Sequence, residues 1–128
     1  MPVTPIDVAG HPPNNGTYSQ AARLGNLIFV SGQLGVDPAT RKLVEGGIQA
    51  QTRQAIANIQ RVLEAAGSSL DRVVKATVFI TDFRLLREMN EVYGPAFPHR
   101  PAKTGVEISR LDMGAIIEIE VVAEAGPG

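Results

Sequence analysis

The chain has 128 residues, 12 basic and 13 acidic, so its net charge near pH 7 is −1 and no basic cluster predicts a nucleic-acid-binding surface. It contains no cysteine, which excludes disulfides, thiolate metal ligands and cysteine nucleophiles. Hydrophobic residues make up 44% of the chain, no apolar run is long enough to span a membrane, and residues 1–10 lack a secretory pattern, so the sequence predicts one globular domain in the cytoplasm.

The first third of the chain predicts a β-hairpin after an N-terminal lead-in. Residues 1–16 contain four prolines and are expected to be irregular. Thr17–Arg23 and Leu27–Gln33 are rich in strand-forming residues and flank a tight turn at Gly25–Asn26, which indicates a hairpin. Leu34–Lys42 contains an Asp-Pro pair and is expected to be a loop.

Two amphipathic helices are predicted, with a strand between them. Ile48–Ala66 has apolar residues at three- and four-residue spacing, and Gly67 is expected to end this helix in a left-handed conformation. Val73–Ile80 is rich in β-branched residues and predicts a strand. Asp82 is a candidate N-cap for a shorter helix that Gly94–Pro95 would stop. The expected buried side of that helix consists of Leu85, Leu86, Met89, Val92 and Tyr93.

The segment His99–Glu124 predicts two strands joined by a polar connection at Asp112–Gly114. Alternate residues of a strand share one face. One face of the second strand is wholly apolar and suits a core: Ala115, Ile117, Ile119, Val121 and Ala123. The other face carries two carboxylates between aliphatic residues: Ile116, Glu118, Glu120 and Val122. We expect both helices to cover one face of a single mixed sheet and leave the face with Glu118 open to another subunit.

Six short strings occur along the chain in a distinctive order. They are Gly16–Gln20 (GTYSQ), Val30–Gln33 (VSGQ), Thr77–Asp82 (TVFITD), Asn90 followed by Tyr93, Pro101–Glu107 (PAKTGVE) and Ile117–Glu120 (IEIE). Together they resemble the Rid family of reactive-intermediate deaminases, also called the YjgF type. The resemblance extends over nearly the whole chain, from about Gly16 to Glu124.

This resemblance implies both a fold and an activity. The fold is an α+β subunit of the chorismate-mutase-like type, with residues 1–128 as one domain, that assembles as a homotrimer with an active site at each subunit interface. Active family members hydrolyse enamines and imines, such as 2-aminoacrylate and 2-iminopropionate, to a 2-keto acid and ammonia. The reaction requires no cofactor and no metal, and its ligands are small imino and keto acids.

The resemblance also implies site residues. The family's carboxylate-binding arginine falls on Lys103, and its water-orienting glutamate falls on Glu118. The residue whose backbone carbonyl helps to hold the water falls on Gly105. Three further positions match side chains that line the family's pocket: Tyr18, Ser31 and Asn90. A cation for the acid group and an acceptor for the water are the groups that imine hydrolysis needs.

The sequence departs from the family pattern beside this site. Lys103 keeps the positive charge of arginine but lacks the planar fork that binds a carboxylate through two parallel hydrogen bonds. The segment between Asn90 and Lys103 is also shorter than in typical active members. Arg100 is therefore a second candidate for the substrate-binding cation, and the sequence leaves the choice between Lys103 and Arg100 open.

Lys103 and Glu118 also have structural interpretations. Lys103 could be an ordinary lysine at the end of a strand, and Glu118 a carboxylate at a subunit interface. His11 and His99 lie in proline-rich loops, where we expect them to be solvated, and they form no metal site.

Three functions therefore compete. They are an imine hydrolase, a non-catalytic trimer that binds a small acid or stabilises a partner enzyme, and an endoribonuclease. The near-neutral charge disfavours the last of them.

Overall fold

The computed structural model describes residues 2–10 and 16–126, which contain eight strands and two α-helices. The strands are β1 (Thr4–Ile6), β2 (Ala21–Leu24), β3 (Leu27–Leu34), β4 (Val36–Asp37), β5 (Lys42–Leu43), β6 (Val73–Ile80), β7 (Ala102–Glu107) and β8 (Ile117–Glu124). The helices are α1 (Gly47–Ala65) and α2 (Leu86–Ala96).

Six strands form one mixed sheet in the order β1-β2-β3-β8-β6-β7. All neighbours are antiparallel except β6 and β7, which run parallel because the chain crosses over through α2 between them. β4 and β5 pair with each other outside this sheet. The predicted α+β fold with a mixed sheet and two helices is confirmed.

One face of the sheet is packed against the helices and the other is not. On β8, the predicted apolar side chains are buried, as are α1 residues at three- and four-residue spacing. These buried side chains include Ile117, Ile119, Val121, Ala123, Ile59, Val62 and Leu63. We call the opposite side of the sheet the outer face; it includes Phe29, Thr77, Phe79, Glu118, Glu120 and Val122. Phe29 on this face is 42% exposed, so the predicted uncovered face is present in the single chain.

The N-terminal lead-in is not irregular throughout, contrary to the prediction. Thr4–Ile6 forms β1, which pairs antiparallel with β2 and places Pro5 opposite Ala22. Proline weakens the signal for a strand because it cannot donate to a ladder, but it is tolerated in a strand at the edge of a sheet. His11 and residues 12–15 lie outside the described residues.

The predicted hairpin is present but begins later than expected, at Ala21 instead of Thr17. The predicted loop after it, Leu34–Lys42, contains β4 and the first residue of β5. Asn58 of α1 holds this region, because its buried side-chain amide donates to the carbonyl oxygens of Leu34 and Val36 at 3.1 and 2.8 Å. This long-range pairing carries no local sequence signal.

The second helix also differs from its predicted boundaries. Asp82 caps a short 3₁₀ turn that precedes α2, and its carboxylate accepts from the backbone N–H of Arg84 at 2.9 Å. The helix runs through Pro95 to Ala96, and the N–H of Phe97 still bonds to the carbonyl of Tyr93 at 3.2 Å. The predicted stop at Gly94–Pro95 is therefore two residues early. Gly67 adopts the predicted left-handed conformation, with φ of 80°.

The two strands of the segment His99–Glu124 are present but do not pair with each other. β6 lies between β7 and β8, and residues 108–116 make the connection across it. The connection is therefore longer than the predicted Asp112–Gly114, which forms a short 3₁₀ turn within it.

We expect a Gly35→Ala substitution to destabilise the protein by about 1–3 kcal/mol, the usual range for overpacking. An added Cβ would lie 2.7 Å from both the Cα and the carbonyl oxygen of Gln51, so the chain after β3 and the backbone of α1 would have to separate. Urea unfolding at a fixed protein concentration measures the change. Gly94→Ala is the matched control: its Cβ meets no atom within 4 Å, and alanine favours a helix. Equal stability of the Gly35 variant would contradict this prediction.

Candidate active site

A β-bulge in β3 shapes the outer face near Glu118. Val30 pairs with Val121 and Gln33 pairs with Ile119, so β3 has one more residue than β8 over this interval. The extra length lies at Ser31 and Gly32. The Ser31 hydroxyl donates to the carbonyl of Ser19 at 2.7 Å, which fastens the bulge to the segment before β2.

The side chain of Glu118 packs directly on Gly32. A Cβ at Gly32 would lie 2.7 Å from Cδ and 2.9 Å from Oε1 of Glu118, so no larger residue fits without moving the carboxylate. Gly32 is a functional candidate that the sequence analysis did not single out, although it lies within the VSGQ string. The other residues described form no hydrogen bond with the Glu118 carboxylate, which therefore has acceptor capacity for a ligand or water.

The environment of Glu118 favours its protonated form. Partial burial is the largest cause of its raised pKa, and the negative charges of Glu120 and Asp112 raise the pKa further. A carboxylate with these properties is a stronger base than an ordinary glutamate, since its proton is held more tightly.

Tyr18 and Ser31 lie with Glu120 around a depression of about 320 Å³ on the outer face. Tyr18 is 53% exposed, and its ring is the largest exposed side chain of this group. The structure thus brings the predicted Tyr18 and Ser31 to the same side of the sheet as Glu118.

Lys103 lies in a different environment, against α2. Its Nζ donates to Oδ1 of Asn90 at 2.5 Å and lies 4.3 Å from the centroid of the Tyr93 ring. Although much of the side chain is exposed, its amine end is partly shielded by these groups, and this burial lowers the pKa of Lys103. The structure therefore brings two of the predicted site residues, Lys103 and Asn90, into contact.

Of the remaining candidates, Gly105 is close to this group and Arg100 has no fixed side-chain partner. Gly105 lies two residues after Lys103 on β7, at a position of the strand that belongs to the same face of the sheet as Lys103. Arg100 adopts a left-handed backbone conformation with φ of 56°, and its N–H bonds to the carbonyl of Phe97 at 3.0 Å. Among the residues described, none accepts a hydrogen bond from its guanidinium.

Lys103 and Glu118 lie on opposite faces of the sheet. Lys103 pairs with Ala76 of β6, whereas Glu118 pairs with Phe79, three residues further along the same strand. Because side chains alternate along a strand, an odd separation places them on opposite faces. A single chain therefore holds two half-sites. We call Glu118, Gly32, Ser31 and Tyr18 the carboxylate half-site, and Lys103, Asn90 and Gly105 the amine half-site.

The described residues include no cluster of three or more histidine, aspartate or glutamate side chains that could bind a metal ion. His99 is exposed, and its Nε2 contacts the carbonyl oxygen of Val73 at 2.9 Å. Within residues 2–10 and 16–126, no helix is long and apolar enough to cross a membrane.

Comparisons with known proteins identify the family. The family model described as Endoribonuclease L-PSP matches residues 9–125. A RutC family protein of Pyrococcus horikoshii is 48% identical over 109 residues, which cover 84% of this chain and 86% of that protein. The chain belongs to the Rid family. The family predicted from the six strings is thus confirmed.

Two further comparisons concern a relative with a named activity and a solved structure. A 2-iminobutanoate/2-iminopropanoate deaminase of Bos taurus is 41% identical over 123 residues, covering 95% of this chain and 90% of that enzyme. The crystal structure of the Rid protein YyfA from Yersinia pestis matches with a TM-score of 0.92 at 39% identity, covering 97% of this chain and all of that one (100%). The two proteins therefore share the same fold over nearly the whole chain.

We expect Glu120→Gln to lower the pKa of Glu118, because it removes a negative charge that favours the protonated form. Carbon-13 NMR titration of the Glu118 carboxyl would measure the change. Glu124→Gln is the matched control: Glu124 lies on the same strand and face but pairs with Arg72 at 2.8 Å. An unchanged pKa in the Glu120 variant would mean that the charge of Glu120 does not contribute to the raised pKa of Glu118.

Proposed function

We propose that this Rid protein hydrolyses imines and enamines of 2-keto acids, releasing the keto acid and ammonia. The observation that carries the proposal is the half-buried carboxylate of Glu118, which packs against Gly32. Its pKa is raised, and it has acceptor capacity for a water molecule. The similarity to a 2-iminobutanoate/2-iminopropanoate deaminase over nearly the whole chain supports this reaction.

The chemistry assigns one role to each half-site. Glu118 accepts a hydrogen bond from a water molecule and takes its proton as the oxygen attacks the imine carbon. Lys103 balances the charge of the neighbouring acid group and fixes its orientation. The resulting carbinolamine loses ammonia, so one imino acid and one water give one keto acid and one ammonia. The carbonyl of Gly105 is the proposed second acceptor for the water, and Tyr18, Ser31 and Asn90 line the pocket.

The proposed site needs two subunits, because one chain places Lys103 and Glu118 on opposite faces of its sheet. We propose a homotrimer of single-domain chains, residues 1–128, in which the amine half-site of one subunit faces the carboxylate half-site of the next. The exposed Phe29, with the partly exposed Phe79 and Val122 beside it on the outer face, supplies apolar surface for such an interface. The cytoplasmic location remains a prediction from the sequence.

We expect Glu118→Gln to leave assembly intact and to lower kcat for 2-iminopropionate by about a hundredfold or more, since general base catalysis contributes about that much. Glutamine keeps the shape of glutamate but cannot take a proton. Decay of freshly generated 2-iminopropionate gives the rate, and sedimentation gives the assembly. A fully active variant would mean that Glu118 has a structural role.

Mixing two inactive variants tests whether the site is shared between subunits. In mixed assemblies of Glu118→Gln and Lys103→Ala chains, some interfaces join an intact Glu118 to an intact Lys103. For a cyclic assembly of randomly mixed subunits, about a quarter of the sites regain both residues. Activity that stays at the level of the separate variants after unfolding and refolding them together would contradict a shared site.

We expect Lys103→Ala to lower kcat/KM by about ten- to a hundredfold, because a hydrogen bond to a charged group contributes roughly 1.5–3 kcal/mol. Lys103→Arg should retain or improve activity, since the guanidinium adds the fork that lysine lacks. Steady-state kinetics with 2-iminopropionate measures both effects.

Arg100→Ala is the control for the choice of cation. The structure gives the Arg100 guanidinium no partner among the described residues, whereas Lys103 is fixed by two neighbours. A larger loss of kcat/KM in the Arg100 variant than in Lys103→Ala would identify Arg100 as the residue that binds the acid group.

The second candidate function is a non-catalytic trimer that binds a small acid. The replacement of the family arginine by Lys103 favours it, because a single point charge binds a carboxylate less specifically. Binding of pyruvate without turnover of 2-iminopropionate would support this function. Endoribonuclease activity, which the description of the family model names, is disfavoured by the net charge of −1 and is tested with single-stranded RNA.

A further inference from the structure

Tyr93 lies beneath the amine of Lys103. From the sequence it belongs to the buried side of α2 and to one of the six strings, but neither gives it a role in the site. It follows Asn90 by three residues, so the two side chains are neighbours on one face of the helix. The Tyr93 side chain is 6% exposed, and its ring centroid lies 4.6 Å from that of Phe97. Packing by Phe97 therefore fixes the ring that the Lys103 amine contacts.

The hydroxyl of Tyr93 does not explain its position. Its oxygen is buried and has no hydrogen-bond partner among the described residues, and burial raises the pKa of Tyr93 to about 12. A buried hydroxyl without a partner is unfavourable, so phenylalanine would pack here at lower cost. The feature of Tyr93 that meets a functional group is the face of its ring, 4.3 Å from Nζ of Lys103.

A lysine in place of arginine needs this kind of support. The ammonium is a point charge at the end of a flexible four-carbon chain, and it has three N–H donors. Asn90 accepts one of them at 2.5 Å. The ring attracts the cation through its π electrons without requiring a directed hydrogen bond, so two donors remain for a ligand.

We propose that Tyr93 is a positioning residue: its ring face and the Asn90 amide together hold the Lys103 amine so that its two remaining N–H groups point at the acid group of the substrate. This inference rests on the proposed function, because that acid group belongs to the imino acid. Tyr93 itself touches no reacting atom. Its contribution is to restrict the motion of Lys103 before the ligand arrives.

The test compares Tyr93→Leu, which removes the ring, with Tyr93→Phe, which keeps it. We expect the Leu variant to bind pyruvate about 5- to 30-fold more weakly and to raise KM for 2-iminopropionate similarly, with little change in kcat; this corresponds to a cation–π contact of about 1–2 kcal/mol. The Phe variant should match the unsubstituted protein. Equal loss in both variants would assign the effect to the hydroxyl, and no loss in either would overturn the proposal.

A Lys103→Met background separates positioning from general damage. There, Tyr93→Leu should no longer change the affinity for pyruvate, because the amine that the ring positions is gone. A loss that persists would mean that the ring acts only through the fold. Should Tyr93→Leu fail to fold, Tyr93→Met takes its place, because the unbranched and flexible methionine side chain adapts better to the space that the ring leaves.

The pKa of Lys103, measured by NMR titration of its side chain, does not depend on turnover. Leucine still shields the Lys103 amine from water but lacks the π electrons that stabilise its charge. The pKa of Lys103 should therefore be lower in Tyr93→Leu than in the unsubstituted protein and unchanged in Tyr93→Phe. An unchanged pKa in the Leu variant would overturn the positioning role. If the pKa falls as expected but 2-iminopropionate is not hydrolysed, the proposed function fails while the contact between Tyr93 and Lys103 stands.

Discussion

Strand β8 determines where the functional carboxylate can lie. It pairs with β3 on one side and β6 on the other, and its alternate residues Ile117 and Ile119 are fully buried against the helices. Because side chains alternate with a period of two, this burial forces Glu118 and Glu120 onto the outer face. A slip of one residue would place both carboxylates in the core, so the register that packs the core also presents the candidate base.

The two half-sites carry ionisable groups of opposite charge, and the pKa of each group is shifted by the same cause, which is burial. Burial raises the pKa of Glu118 and lowers the pKa of Lys103, and both shifts favour the uncharged forms. An opposite charge nearby reverses such shifts. Assembly that brings the amine half-site of one subunit to the carboxylate half-site of another would therefore stabilise both charged forms, and a bound imino acid would lie between them.

Local patterning was enough to predict the helices, β6 and β8, because their apolar residues recur at the period of the element that they form. It failed where distant segments decide the structure. Pro5 weakens the local signal for β1, which pairs with the distant β2. The buried amide of Asn58 bonds to the carbonyl oxygens of Leu34 and of Val36 in β4, a contact that no local pattern predicts. The family strings supplied Lys103, Asn90 and Glu118, but no pattern indicates that the first two touch while the third lies on the opposite face.

The two ends of the sheet differ in a way that bears on solubility. β1 contains Pro5, which has no N–H to offer to an added strand, whereas β7 pairs only with β6 among the described strands and all six of its residues are exposed. An open strand edge invites other chains to extend the sheet, and charged side chains along the edge oppose this. Lys103 and Glu107 are the charged residues of β7. The amine proposed to bind substrate therefore also protects the exposed edge of the sheet from intermolecular β-pairing.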